Sequence, residues 1–464
     1  MDLFRKKVIQ PERVTNLKKE LKLKDLIMLG IGAIIGTGIF VVTGAASVEY
    51  AGPALILSFV IAGIVVVLSG LSFAEFASRI PVLGGAYSYL YVVFGEFIAW
   101  LAGWFLICEF LLAVSSVASG WSGYVQGFLA SADIYLPTAL TAGYDPSKGT
   151  YIDLIAGLVI VFVTLWVSQE AKKALRLNNA MVWVKFAIIA LFIVFGVFFV
   201  EPTNWQPFMP FGFSGVFNGA ALVFFAFLGF DAVAMAAEEV EDAKKNVPRG
   251  IIGSIAIATV LYIVVTLILT GIVPYTELGV SDPVAFAMRY INHGVVGSII
   301  SVGAILTLLT VTIAMMYSLA RLLYAISKDG LLPRFMQDVD PKQQTPKKAT
   351  YVAGAFALFF AAAFPLNILA ELTNIAALSY LILMSLGIIK LRKMLGEPQK
   401  GEFKVPFVPV LPLISVASCL FLMTRLQMTT WIVFAITLVI GVVIYFVYGY
   451  RHSALQEMED PSKM

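Results

Sequence analysis

Histidine and cysteine are almost missing from these 464 residues, with two of each. His293 and His452 fall in polar stretches, and Cys108 and Cys419 each sit inside an apolar run. That leaves no metal-ligand spacing and no disulfide framework. Charge is scarce as well: Asp, Glu, Lys and Arg make up 13% of the chain, and a net charge of +3 gives no case for a nucleic-acid partner. There is no G-x-S-x-G elbow and no room for a soluble catalytic domain, since the longest polar stretch between apolar runs, about 321–348, has 28 residues. The sequence therefore argues against an enzyme, a bound metal and a cofactor.

What the chain has is apolar surface. Sixty per cent of its residues are hydrophobic and its mean hydropathy is +0.90, more than a soluble fold of this length covers. Twelve apolar segments are expected to span a bilayer: 26–48, 53–77, 97–119, 152–168, 180–200, 215–237, 250–274, 295–320, 349–364, 366–389, 405–424 and 429–449. The first 25 residues are polar and basic without a signal-peptide pattern, which predicts a cytoplasmic N-terminus. Of the 32 Lys and Arg residues, only Lys148, Arg289 and Arg425 then fall in outer loops, Lys185 lies within a span, and the other 28 face the cytoplasm. So lopsided a split fits twelve spans with both termini inside.

Two spans carry breaks. The first is interrupted by LGIGAIIGTGIF, Leu29 to Phe40, with four glycines, and the sixth by FFAFLGFDA, Phe224 to Ala232. Gly32-x-x-x-Gly36 would serve helix packing by itself. Gly36-Thr37-Gly38 favours unwinding instead, and unwound backbone within a membrane is tolerated where it lines a cavity. The breaks lie five spans apart, so they belong to halves of opposite orientation, the pattern of a carrier with a midplane site. Free N–H groups at the first break would hold a carboxylate. Free carbonyls of Phe225, Ala226 and Leu228 at the second would hold an ammonium. Together they describe a site for an α-amino acid.

GAIIGTGIF, FFAFLGFDAVAMAAEEVEDAKKNVPRGI and SKDGLLP together resemble the amino acid–polyamine–organocation superfamily, and within it bacterial members of the cationic amino acid transporter family. The similarity runs from about residue 20 to 452. It implies an all-α membrane protein with a leucine-transporter-type 5+5 inverted repeat, in which helices 1 and 6 are discontinuous. On that scheme 1–25 is a cytoplasmic segment, 26–200 and 215–389 are the two repeats, 405–449 holds peripheral helices 11 and 12, and 450–464 is a cytoplasmic tail. The expected setting is the cell membrane. The sequence is silent on a small membrane subunit.

By position, the resemblance puts the substrate carboxylate on Gly36, Thr37 and Gly38 and its amino group on the carbonyls of Ile34, Phe225, Ala226 and Leu228. Phe225 matches the family's aromatic gate. Lys185, alone among apolar residues from Met181 to Val200, matches a lysine standing where sodium-coupled relatives hold their ion. It would touch helix 1 near Gly32 and hydroxyls on helix 8. A lone cation at a helix centre costs at least about 2.5–3.5 kcal/mol, and desolvation disfavours its charged form, which suits a proton-coupling group. Snorkelling to the interface is the alternative.

Glu109 is a second charge in an apolar span; it would contact a cationic side chain, pair structurally or carry a proton. Asp231 would cap the half-helix after the break or act as a second proton-linked carboxylate. Met315 and Met316 pack or face the site, where thioethers favour small to medium side chains. Glu75 is expected to pair with Arg79 at i, i+4. The reading is a proton-coupled L-amino acid carrier favouring neutral substrates such as alanine. Exchange, cationic substrates and nutrient sensing are the alternatives.

Overall fold

The computed structural model describes residues 3–7, 21–80, 85–235, 240–341 and 345–459. Helices account for the fold, and the two β-bridges among the described residues are isolated. Among the described residues, eight helices are long and apolar enough to cross a membrane, and Leu154–Gln169 and Val410–Met423 are shorter apolar helices.

The first half of the chain comprises α1 (Leu23–Ile34), α2 (Thr43–Ala46), α3 (Leu55–Arg79), α4 (Gly85–Phe94), α5 (Glu96–Ala130) and α6 (Leu154–Gly196). The second comprises α7 (Gly212–Val223), α8 (Ala232–Met235), α9 (Ala243–Ile272), α10 (Pro283–Tyr290), α11 (Gly294–Lys328), α12 (Lys347–Ala363) and α13 (Leu366–Leu395), followed by α14 (Val410–Met423) and α15 (Met428–Ile444). The runs are helical because Leu, Ala, Ile, Phe and Val fill them and their glycines fall at contacts. Gly354 faces Thr164, and Gly303 faces Ile188.

One helix departs from its expected bounds. Segments 152–168 and 180–200 were expected as separate spans, whereas α6 is helical over 43 residues. Its two apolar arms nevertheless run in opposite directions. At one end Asp153 N donates to Ala362 O, and just past the other Glu201 N donates to Gly271 O, both at 2.9 Å. Ala362 and Gly271 lie on the same face, because Asn367 bonds Glu49 and Gly52 packs against Tyr275.

The opposite face gathers both ends of the described chain. Arg5 O and Leu3 O accept from Glu96 N and Phe97 N, at 2.9 and 3.0 Å, and so serve the free N–H groups that open α5. The Glu96 carboxylate is fully buried and accepts from the hydroxyls of Tyr91, Tyr445 and Ser453, with Arg5 Nη2 3.6 Å away. Beside it Asp329 binds Lys7 at 2.8 Å and the Tyr87 hydroxyl at 2.9 Å.

Candidate functional site

Both expected breaks are present. α1 stops at Ile34, Ile35 is extended (φ −75°, ψ 109°), and helix resumes as a π-turn over Gly38–Val42. α7 tightens into a 3₁₀ turn over Phe224–Phe227, Leu228 is extended (φ −60°, ψ 143°), and Gly229 has φ +101° before α8 begins. Extended backbone at Ile35 and Leu228 takes the neighbouring peptide groups out of the i→i−4 ladder.

The breaks cross in contact. A Cβ on Gly38 would overlap the Cα and Cβ of Ala226, and one on Gly229 would stand 2.9 Å from Ala33 O. Glycine is required at 38 for the approach, and at 229 for the approach and the left-handed backbone. Thr37 is 2% exposed, and its hydroxyl has no hydrogen-bond partner. Its methyl faces Gly120 of α5, while Gly36 faces Val311 of α11. Gly32 meets Val182 of α6, so the glycines serve packing as well as unwinding.

The freed carbonyls are met by side chains from elsewhere. The Tyr262 hydroxyl of α9 lies 3.0 Å from Ile34 O and 2.6 Å from Ala226 O, one carbonyl from each break. Asn374 Nδ2 of α13 donates to Ala221 O (2.7 Å) and Leu222 O (3.0 Å) where α7 gives way. The Tyr124 hydroxyl donates to Phe40 O in the π-turn at 2.7 Å. Phe225, the expected gate, is buried, and its carbonyl accepts from Leu228 N at 3.3 Å.

Lys185 is 1% exposed, and its Nζ donates to Gly32 O at 2.5 Å, one turn before the first break. Snorkelling does not describe it, because the ammonium ends on buried backbone. Among the described residues, its hydrogen bond goes to Gly32 O and not to the expected hydroxyls of helix 8.

Glu109 is 3% exposed and stands with Tyr380 and with Asp231, which is two residues beyond Gly229. Neither its Oε2 nor the Tyr380 hydroxyl closes a well-formed hydrogen bond. Gly120, which touches Thr37, lies eleven residues along α5 from Glu109, roughly 16 Å at the helical rise. Asp231 is buried at the start of α8, where Ala232 N and Val233 N donate instead to the carbonyls of Gly229 and Phe230. Met315 is half-buried on α11, one turn beyond Val311, and Met316 is fully buried. In the acidic loop after α8, Glu238 and Glu239 lie outside the described residues.

Outside the spans, α10 and the chain leading into it cover the half of the broken first helix beyond Gly38. Gly44 packs on Leu278 O and Pro283, and Asp282 pairs with Arg289 at 2.8 Å. Burial holds the Asp282 carboxyl above the usual carboxylate range, with Arg289 opposing that shift. On the other face Glu241 N donates to Leu21 O at 2.9 Å, tying the chain before α1 to the chain after α8.

The sequence model of the amino acid permease family matches residues 21–457. A methylthioribose transporter of Bacillus subtilis (strain 168) is 46% identical over 459 residues, covering 98% of this chain and 99% of the relative. The branched-chain amino acid permease BcaP of the same organism is 44% identical over 463 residues, with 98% and 99% covered. Cationic amino acid transporter 4 of Homo sapiens is 33% identical over 401 residues, 85% of this chain and 63% of that protein.

Proposed function

We propose that this chain, which belongs to the amino acid permease family, is a secondary carrier moving a neutral L-amino acid with a proton across the cell membrane by alternating access. Its relatives are transporters rather than enzymes. The reading uses twelve spans with both termini cytoplasmic, and two inverted repeats over 26–200 and 215–389.

One observation carries it: the buried, unpartnered Thr37 hydroxyl beside two helix breaks in contact. The substrate carboxylate takes the Gly36, Thr37 and Gly38 N–H groups and that hydroxyl. Its ammonium takes the carbonyls of Ile34, Phe225, Ala226 and Leu228, and Phe225 closes over it. Val311 and Met315 line the side-chain end, which suits an apolar substrate of alanine to leucine size and leaves little room for arginine. That range is in keeping with the branched-chain permease among the relatives.

Lys185 is the coupling group. Its ammonium ties Gly32 O to α6 by a charge-assisted hydrogen bond, and deprotonation weakens that tie so that α1 can move. Glu109, Tyr380 and Asp231 form a second proton-linked cluster, too far from Thr37 to touch a small side chain.

A thermal-shift panel of the twenty amino acids, followed by counterflow in proteoliposomes, tests the reading, because a ligand favouring the folded state raises its melting point. A neutral amino acid is expected to give the largest shift and saturable exchange. The methylthioribose transporter among the relatives supports a second reading. Methylthioribose has neither ammonium nor carboxylate, so a shift with it and none with any amino acid would replace the first.

A further inference from the structure

The Tyr262 hydroxyl has one proton and two carbonyl oxygens within hydrogen-bond distance, at 2.6 Å (Ala226) and 3.0 Å (Ile34). Those carbonyls belong to different broken helices. The ring is fully buried and packed against Phe59 and Phe227, with centroids 5.0 and 5.3 Å away, so the oxygen is held in place and only its proton turns. A hydroxyl donates to one acceptor at a time, whereas a primary ammonium brings three donors. Tyr262 alone therefore leaves one of the two carbonyls without its proton at any instant.

We infer that Tyr262 is a positioning residue for the substrate's amino group. Its hydroxyl clamps Ile34 O and Ala226 O to one point, so that a single ammonium can bridge both breaks. This rests on the amino acid reading above and adds to it a source of selectivity. A ligand with a primary ammonium satisfies both clamped carbonyls. The 2-hydroxy acid with the same side chain has one proton and satisfies one. Tyr262 thus selects the amino acid over its hydroxy analogue without touching the side-chain pocket.

The test compares L-valine with 2-hydroxyisovalerate, and L-alanine with L-lactate, binding to the purified full-length chain. Tyr262→Phe keeps the ring and its packing and removes the hydroxyl. Amino acid affinity is expected to fall about tenfold, because the two carbonyls lose the hydroxyl that holds them at one point. Hydroxy acid affinity is expected to change by less than about twofold, so the preference for the amino group shrinks by nearly the whole loss. Equal weakening of both members of a pair, or an unchanged preference, overturns the inference while leaving the amino acid reading intact. If the wild-type chain binds neither valine nor alanine, that reading fails and the inference with it.

A second measurement does not depend on how the variant folds. 3-Fluorotyrosine placed at position 262 is expected to shift its ¹⁹F resonance when L-valine or L-alanine saturates the chain, and less with the hydroxy acids. A resonance that stays put at saturation, or moves equally for both ligand types, overturns the inference.

Discussion

Glu75 and Arg392 form a two-pronged ion pair between the ends of α3 and α13: Nη2 lies 2.7 Å from Oε2, and Nε lies 3.0 Å from Oε1. Glu75 is fully buried, and Oε2 also accepts from Val405 N at 2.7 Å, which pins the chain between α13 and α14. The Arg79 contact expected from the i, i+4 spacing exists at 3.3 Å, but it is the longer one. Removing one partner of a buried pair strands the other charge, so Glu75→Gln is expected to destabilise by about 3 kcal/mol. Glu75→Gln/Arg392→Met should lose less than the two single variants added together. Melting curves of the three variants check this, and additive losses would contradict the pairing.

Lys185→Ala is expected to abolish uptake driven by an imposed pH gradient in proteoliposomes while retaining substrate-induced thermal stabilisation. The ammonium touches Gly32 O and not the expected ligand-binding atoms, so coupling and binding should separate. Unchanged accumulation at an acidic outer pH would remove Lys185 from the coupling role.

Gly38→Ala is expected to lower stability by about 1–3 kcal/mol, because the new methyl has to displace the Ala226 backbone. Ligand-induced stabilisation should vanish with it, since the two breaks can no longer meet. A variant that melts normally and still responds to the substrate would show that the contact is dispensable.

Glu109→Gln should leave the inhibition of alanine uptake by valine, leucine, arginine and lysine unaltered in rank, and change the pH dependence of uptake. Its distance from Gly120 along α5 is the reason. A changed rank order, with arginine or lysine gaining or losing most, would return Glu109 to the specificity pocket.

Glu96→Gln is expected to destabilise the chain by about 2 kcal/mol, because three hydroxyls and Arg5 converge on a carboxylate fully buried at the start of α5. Removing residues 1–7 should lower the melting temperature by a comparable amount. A truncated chain as stable as the full one would mean that the terminal segment contributes little.

The breaks were legible because unwinding has a local signature. Two glycines around Thr37, and a glycine and an aspartate in an aromatic run, are both visible in a few residues. Lys185 was legible for a similar reason, as a charge with no neighbour of its kind. The partners of the freed carbonyls were not. Tyr262 sits in an unremarkable apolar run, and the atoms it binds are 228 and 36 residues away. Asn374 and Glu96 likewise depend on contacts across the fold. Glu109 was noticed for its charge, but only the packing of Gly120 against Thr37 shows how far along α5 from Thr37 it stands.

The clasp around Glu96 also orders events during synthesis. Leu3 and Arg5 are made before α5, yet two of the hydroxyls on the Glu96 carboxylate, those of Tyr445 and Ser453, lie 349 and 357 residues further along the chain. The clasp is therefore complete only once Tyr445 and Ser453 have been made and brought back to the start of α5.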